Sequence, residues 1–167
     1  DAYNKDKLMG MVQSRKESNS VYKIGCLGKI SDYQEIKDGR ILINLTGIIR
    51  FQILEEVSNK KLYREFKVDY KNFDNDTDNQ VINIKTNTLM SKAQTFFKRN
   101  GLLLNWKEFE KLDNNQKINT LSMISPVTNG EKQKLLESLT IADKIQSLEN
   151  IINFYLHEVD FDNQTVQ

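Results

Sequence analysis

The apolar positions along the chain change period once. Between residues 8 and 70 they alternate as in half-buried strands, and from residue 89 onward they recur every three or four positions as on one helix face. Leu8 to Val12 form a short apolar run that predicts a buried strand, and the polar residues 13–20 predict a loop. Two long alternating runs follow, separated by Lys37-Asp38-Gly39-Arg40. Asp-Gly is a strong hairpin turn signal, because glycine accepts positive φ without a Cβ clash. Ile24, Cys26, Gly28, Ile30 and Asp32 share one face of the first run, and Ile41, Ile43, Leu45 and Gly47 share one face of the second. Gly25 and Gly28 within one strand predict a bulge or close backbone packing, Gly47 predicts a bend, and from Ile48 the alternation shifts by one. Residues 55–61 are polar and predict a connection, and residues 62–70 alternate as a third long strand.

Residues 72–80 (NFDNDTDNQ) are acidic and rich in Asn, and they predict a boundary or long loop. Beyond them, Leu89, Ala93, Phe96 and Phe97 form a helical stripe that Asn100-Gly101 ends. Asn105 to Glu108 reads as a capping pair, with Trp106, Phe109 and Leu112 facing inward. Ile118, Leu121 and Ile124 form a further stripe that stops before Pro126. Thr128 and Glu131 match a capping box, followed by Leu135, Leu136 and Leu139. Thr140 caps a last helix whose inner face runs from Ile141 through Leu148 and Ile152 to Val159, with a polar tail expected to fray from Asp160. Strands first and helices second argue for α+β rather than alternating βαβ units.

Composition narrows the function. The chain has 167 residues, 38% hydrophobic and 28% charged, as expected of a globular chain. A net charge of +1 argues against a broad nucleic-acid-binding face, which needs clustered Lys and Arg. No apolar run approaches the roughly 20 residues that span a bilayer, and the first dozen residues lack the apolar centre of a signal peptide. The lone Cys26 cannot form an intramolecular disulfide, so the cytoplasm is the expected compartment. Three Asn-x-Ser/Thr triplets, at Asn44, Asn75 and Asn163, read as products of an Asn-rich composition.

The sequence carries few catalytic motifs. There is no Gly-x-x-x-x-Gly-Lys-Ser/Thr loop and no Gly-x-Gly-x-x-Gly, and Gly25-Cys26-Leu27-Gly28 lies inside a strand. One His and one Cys cannot build a zinc site within a single chain, and no cofactor is implied. Asp74, Asp76 and Asp78 alternate but lack the Gly and closing Glu of a calcium loop, so a solvated loop is expected. Cys26 with His157 as its base would make a small thiol hydrolase. A strand cysteine among apolar neighbours is more often a small buried hydrophobe. The phenyl and indole rings of Phe96, Phe97 and Trp106 read as core rather than as a ligand cage, and Lys60, Lys61 and Arg64 as a solvated strand edge.

Gly10-Met11-Val12-Gln13, Gly25-Cys26-Leu27-Gly28-Lys29-Ile30, Asp38-Gly39-Arg40, and Leu45-Thr46-Gly47 with Arg50-Phe51 and Ile53-Leu54 occur in that order. Together they resemble the N-terminal substrate-recognition domain of Lon protease. Leu121-Ser122-Met123-Ile124-Ser125-Pro126, with Glu131-Lys132-Gln133 and Leu135-Leu136-Glu137, is similar to the small stand-alone bacterial proteins made of that domain alone. The resemblance implies a β-rich, PUA-like pseudo-barrel lobe over residues 1–80 joined to a helical bundle over residues 81–167. It implies a module that captures unfolded or extended polypeptide, without intrinsic ATPase or peptidase activity. It leaves room for a protease partner and for RNA binding of the PUA-like kind as an alternative. The family opens with a strand rich in Pro, Leu and Phe ahead of its first helix, whereas this sequence begins near the end of that helix. A barrel without that strand is expected to expose an edge and to pair there with another chain. Gln13, Arg15, Tyr33 and Arg50, expected near the junction of the lobes, are the candidate substrate contacts. Arg50 also carries a charge that needs a partner if it is buried.

Overall fold

The computed structural model describes residues 2–16, 18–77 and 86–162, with side chains to residue 157. Val159, the tail triplet at Asn163 and the end of the acidic segment, Asp78 to Gln80, lie outside the described side chains. The chain divides into two compact units, Asp1–Asn79 and Gln80–Gln167. The first carries strands and the second helices, an α+β architecture.

The strands of the first unit form an antiparallel meander in the order β1-β2-β3-β4: β1 Leu8–Met11, β2 Ile24–Glu35, β3 Ile41–Val57 and β4 Glu65–Asp69. Asp1 to Lys7 hold a short 3-10 turn, Ala2–Asn4. The predicted hairpin is the spine of the sheet. Gly39 takes φ +83, and the Ile36 and Arg40 main chains close the turn. The glycines act as the sequence indicates. Pairing slips between Leu27 and Gly28, where Leu27 faces Ile49 and Gly28 faces Gly47, so Ile48 is skipped. A second slip follows Ile30. Gly25 lies beneath the Phe51 ring: a Cβ there would fall 2.7 Å from Phe51 Cζ and 2.6 Å from the Met11 carbonyl oxygen. Phe51, Ile53, Ile30 and Phe73 are the buried apolar side chains described in this unit.

Three features differ from the expectation. β3 continues through Glu55 and Glu56 to Val57, because its pairing with β4 satisfies main-chain groups regardless of side-chain polarity. β4 begins at Glu65 rather than at residue 62, and Leu62 stands fully in solvent. The acidic stretch is not simply a solvated loop. Residues Lys71–Thr77 form a 3-10 segment that buries Phe73.

The second unit packs α1 Asn87–Arg99, α2 Trp106–Phe109, α3 Asn114–Ile124, α4 Asn129–Glu137 and α5 Ile141–Asp162 around one apolar cluster. The predicted stripes supply it: Leu89, Ala93, Phe96, Phe97, Ile118, Leu121, Leu135, Leu148 and Ile152 are all buried. Trp106 and Leu112 pack against the cluster half-buried, and Trp106 meets Phe97 and Phe109 edge-on. Gly101 ends α1 with φ +67. The starts of α3, α4 and α5 are closed reciprocally. The Thr128 hydroxyl accepts from the Glu131 N–H while Glu131 accepts from the Thr128 N–H, and Thr140 with Asp143 repeats the arrangement. Asp113 and Gln116 form a third such box. Leu139 departs from its stripe: α4 ends at Glu137, so Leu139 falls in the connection and is exposed. α5 continues to Asp162, past the residue where fraying was expected.

Candidate functional site

The four candidate contacts do not form one cluster. Gln13 and Arg15 lie on the connection between β1 and β2, closed by the Ser14–Val21 bridge. The Gln13 carbonyl accepts from the Tyr22 N–H at 2.9 Å, and the Arg15 guanidinium lies 4.8 Å from the Tyr22 ring centroid. Tyr33 is toward the opposite end of β2, stacked on Tyr3 at 4.5 Å, with the Lys7 ammonium on the other ring of that pair, Tyr3. Along an extended strand these two sets are separated by up to ~35 Å.

Arg50 occupies a third and different setting. Its side chain is 10% exposed, and that of Asp76 is 21% exposed. Asp76 Oδ2 accepts from the Arg50 backbone N–H at 3.0 Å and from Nε at 2.8 Å, while Oδ1 accepts from Nη2 at 2.7 Å. The guanidinium also lies 4.4 Å from the centre of the buried Phe73 ring. A bidentate carboxylate matches the planar guanidinium fork and satisfies the charge that burial would otherwise penalise. Arg50 is thus an anchor that binds the 3-10 segment to β3. The sequence showed that Arg50 needs a partner and that Asp76 is acidic. Nothing in the local pattern connects positions 26 residues apart.

The Arg50–Asp76 contact has a further consequence for the sheet. β4 pairs with β3 only from Gln52 to Val57. Just past that ladder, the Asp76 carboxylate takes the Arg50 N–H. Beyond it, no described strand pairs with residues 41–49 on the side away from β2. β1 likewise pairs with β2 only from Cys26 to Lys29, and Ile30 N–H still reaches the Lys7 carbonyl. The rest of the β2–β3 hairpin extends as a two-stranded arm. Ile41 and Leu42 are each 57% exposed and Ile48 is 40% exposed. The edge expected from the sequence was assigned to no particular strand, because an alternating apolar strand reads the same whether one edge or both are paired.

Chemical groups elsewhere are sparse. Cys26 is half-buried on β2, its thiol directed at the Leu27 carbonyl at 3.5 Å, and His157 is exposed on α5. No group of three or more His, Cys, Asp or Glu side chains suited to a metal ion occurs among the described residues. At the arm's turn, hydrogen bonds from the Arg40 side chain and backbone hold the Asp38 carboxyl below its ordinary range. The hydrogen bond from Arg64 does the same for Glu56 in the β3–β4 hairpin. No described helix is long and apolar enough to cross a membrane.

The family described as the ATP-dependent protease La (LON) substrate-binding domain matches residues 1–153. The chain belongs to that family. Two solved structures share the fold. The Lon N-terminal domain protein from Xanthomonas campestris superimposes with a TM-score of 0.61 at 15% identity, over 91% of this chain and 78% of that one. The N-terminal domain of Mycobacterium avium complex Lon protease gives 0.58 at 16% identity, over 86% and 77%. No curated protein matches the chain. The Lon substrate-binding domain is a non-catalytic module.

Proposed function

We propose that this Lon-type domain is a non-catalytic recognition module for unfolded or extended protein segments and acts in the cytoplasm. The observation that carries the reading is the exposed apolar arm on a chain of the Lon substrate-binding family. Ile41, Leu42 and Ile48 are exposed beside main chain that no described strand pairs on the side away from β2, the combination that an extended polypeptide satisfies through both backbone and side chains. In this reading Gln13, Arg15 and Tyr33 contribute polar and aromatic contacts at the two ends of β2, and Arg50 fixes the strand between them. A protease acting on the captured segment is the partner that best suits a module without chemistry of its own.

The test is fluorescence anisotropy with a labelled model polypeptide, reduced and carboxymethylated so that it stays unfolded, against the same polypeptide in its native disulfide-bonded form. Binding of the unfolded form alone is the expected result, and equal binding of both forms, or of neither, overturns the proposal. Cys26→Ser separates this reading from a thiol hydrolase: binding should be unchanged and no amide or ester hydrolysis should be lost. RNA binding predicts instead a salt-sensitive complex with single-stranded RNA, which a net charge of +1 disfavours.

A further inference from the structure

We propose that the outer edge of β3 along residues 41–49 is a strand-addition site for an extended polypeptide segment free of charged residues. The inference rests on the recognition reading above and adds where the client binds and through which groups.

Among the described residues this edge has no partner strand. The ladder to β4 stops at Gln52, and Asp76 takes the N–H of Arg50 as a side-chain substitute for the next rung. Past that point the row of main-chain donors and acceptors facing away from β2 has no described strand beside it. Protein edges are usually blunted by Lys, by Pro, by inward charges or by shortness. β4, the terminal strand on this side, is blunted in this way: it has five residues, including Glu65, Lys67 and Asp69. Residues 41–49 (ILINLTGII) contain no charged residue and no proline. An edge free of charge and proline over nine residues, interrupted by the single slip at Ile48, is a template for another strand.

The same residues define the occupant. A strand laid along this edge would set its side chains beside Ile41, Leu42 and Ile48 on the two faces of the arm. A client Lys or Glu there would lose water beside aliphatic neighbours with no countercharge on the edge, whereas β-branched or aromatic residues would gain apolar contact. A second copy of this chain fits less well. An antiparallel pair of copies centred on Leu45 would bring Arg40 of each opposite Arg50 of the other, where the Asp76 carboxylate already occupies the edge. A lipid surface or a small ligand lacks the alternating donors and acceptors that the edge requires.

The test uses the full chain and two fluorescein-labelled nonapeptides, one alternating Val and Thr and one with Asp in place of every Thr. The neutral peptide is expected to bind and the acidic one to bind at least about tenfold more weakly. On hydrogen exchange, the neutral peptide is expected to protect the amides of residues 41–49 and to leave those of β4 unchanged. Leu42→Lys and, as a milder change, Thr46→Lys should each weaken binding of the neutral peptide and of the unfolded polypeptide by about tenfold or more. Met123→Lys, on an exposed position of α3, should have no effect. Circular dichroism confirms that each variant is folded. If the unfolded polypeptide binds wild type and both edge variants equally, or protects other amides, the edge proposal is wrong while the recognition reading stands. If no unfolded polypeptide binds at all, both fail. Protection of residues 41–49 that rises with protein concentration and needs no peptide would instead assign the edge to a second copy and overturn the proposal.

Discussion

Replacing Asp76 by Ala removes the carboxylate that receives three hydrogen bonds from Arg50, one of them from the backbone. Breaking a fully buried ion pair from one side costs about 3–5 kcal/mol, because a charge is left desolvated. Two features reduce that figure here. The Asp76 side chain is 21% exposed, so water can partly replace it, and the guanidinium retains the Phe73 ring. The expected loss for the first unit is therefore about 2–4 kcal/mol. Hydrogen exchange of the β3 amides reads this directly: exchange through unfolding should accelerate roughly 30- to 900-fold, since 1.4 kcal/mol is a factor of ten. Trp106, the single tryptophan, lies in the helical unit and reports that unit separately. Arg50→Met combined with Asp76→Leu should recover much of the loss, because an apolar pair of similar volume avoids both desolvation costs. An acceleration below about threefold in Asp76→Ala would put the pair in the range of an exposed salt bridge and refute the anchor role.

Other outcomes follow from the same geometry. Gly25→Ala should destabilise the sheet by about 1–3 kcal/mol, measured by urea denaturation with tyrosine emission, because its Cβ would sit 2.6 Å from the Met11 carbonyl oxygen and the backbone must move. Burial works to raise the Glu131 carboxyl, but hydrogen bonds from the Thr128 hydroxyl and N–H and the Tyr155 hydroxyl outweigh it and hold the group below its ordinary 4.5. The stability this contributes is therefore fully present above about pH 4.5 and is lost as the pH falls through the lowered folded value. Glu131→Gln should flatten that acid limb in Trp106 fluorescence, and Tyr155→Phe should cost about 1 kcal/mol at neutral pH. Leu62→Ser and Leu103→Ser, at fully exposed positions, should change stability by less than about 0.5 kcal/mol in either unit.

The helical unit was the more legible in sequence. Its stripes, its glycine stop and the caps at Asn105, Thr128 and Thr140 are local features in which a residue and its partner stand three or four positions apart. Leu89, Ala93, Phe96 and Phe97 are buried as their spacing indicates. The turn at Gly39 and the slips at Gly28 and past Gly47 were also legible, because glycine marks backbone demands at the position where they arise. Phe73 and Asp76 were not. They lie in a stretch whose composition indicates solvent, and what they do depends on β3, more than 20 residues earlier. The extent of β4 was misjudged for a related reason. Alternation over Leu62, Arg64 and Phe66 satisfies the strand period, but only pairing with β3 decides where the strand begins.

The meander gives the arm an independence that a crossover topology would deny it. Beyond Ile30 and Leu45, β2 and β3 pair with each other and with no further described strand, and the Asp38-Gly39 turn closes them. The side-chain period of a ladder is two, so deleting Gln34 and Glu35 together with Ile41 and Leu42 would bring the same turn two rungs closer and leave every remaining residue on its original face. Reach is thus a dimension that can be varied without disturbing the Phe51 core or the Arg50 anchor.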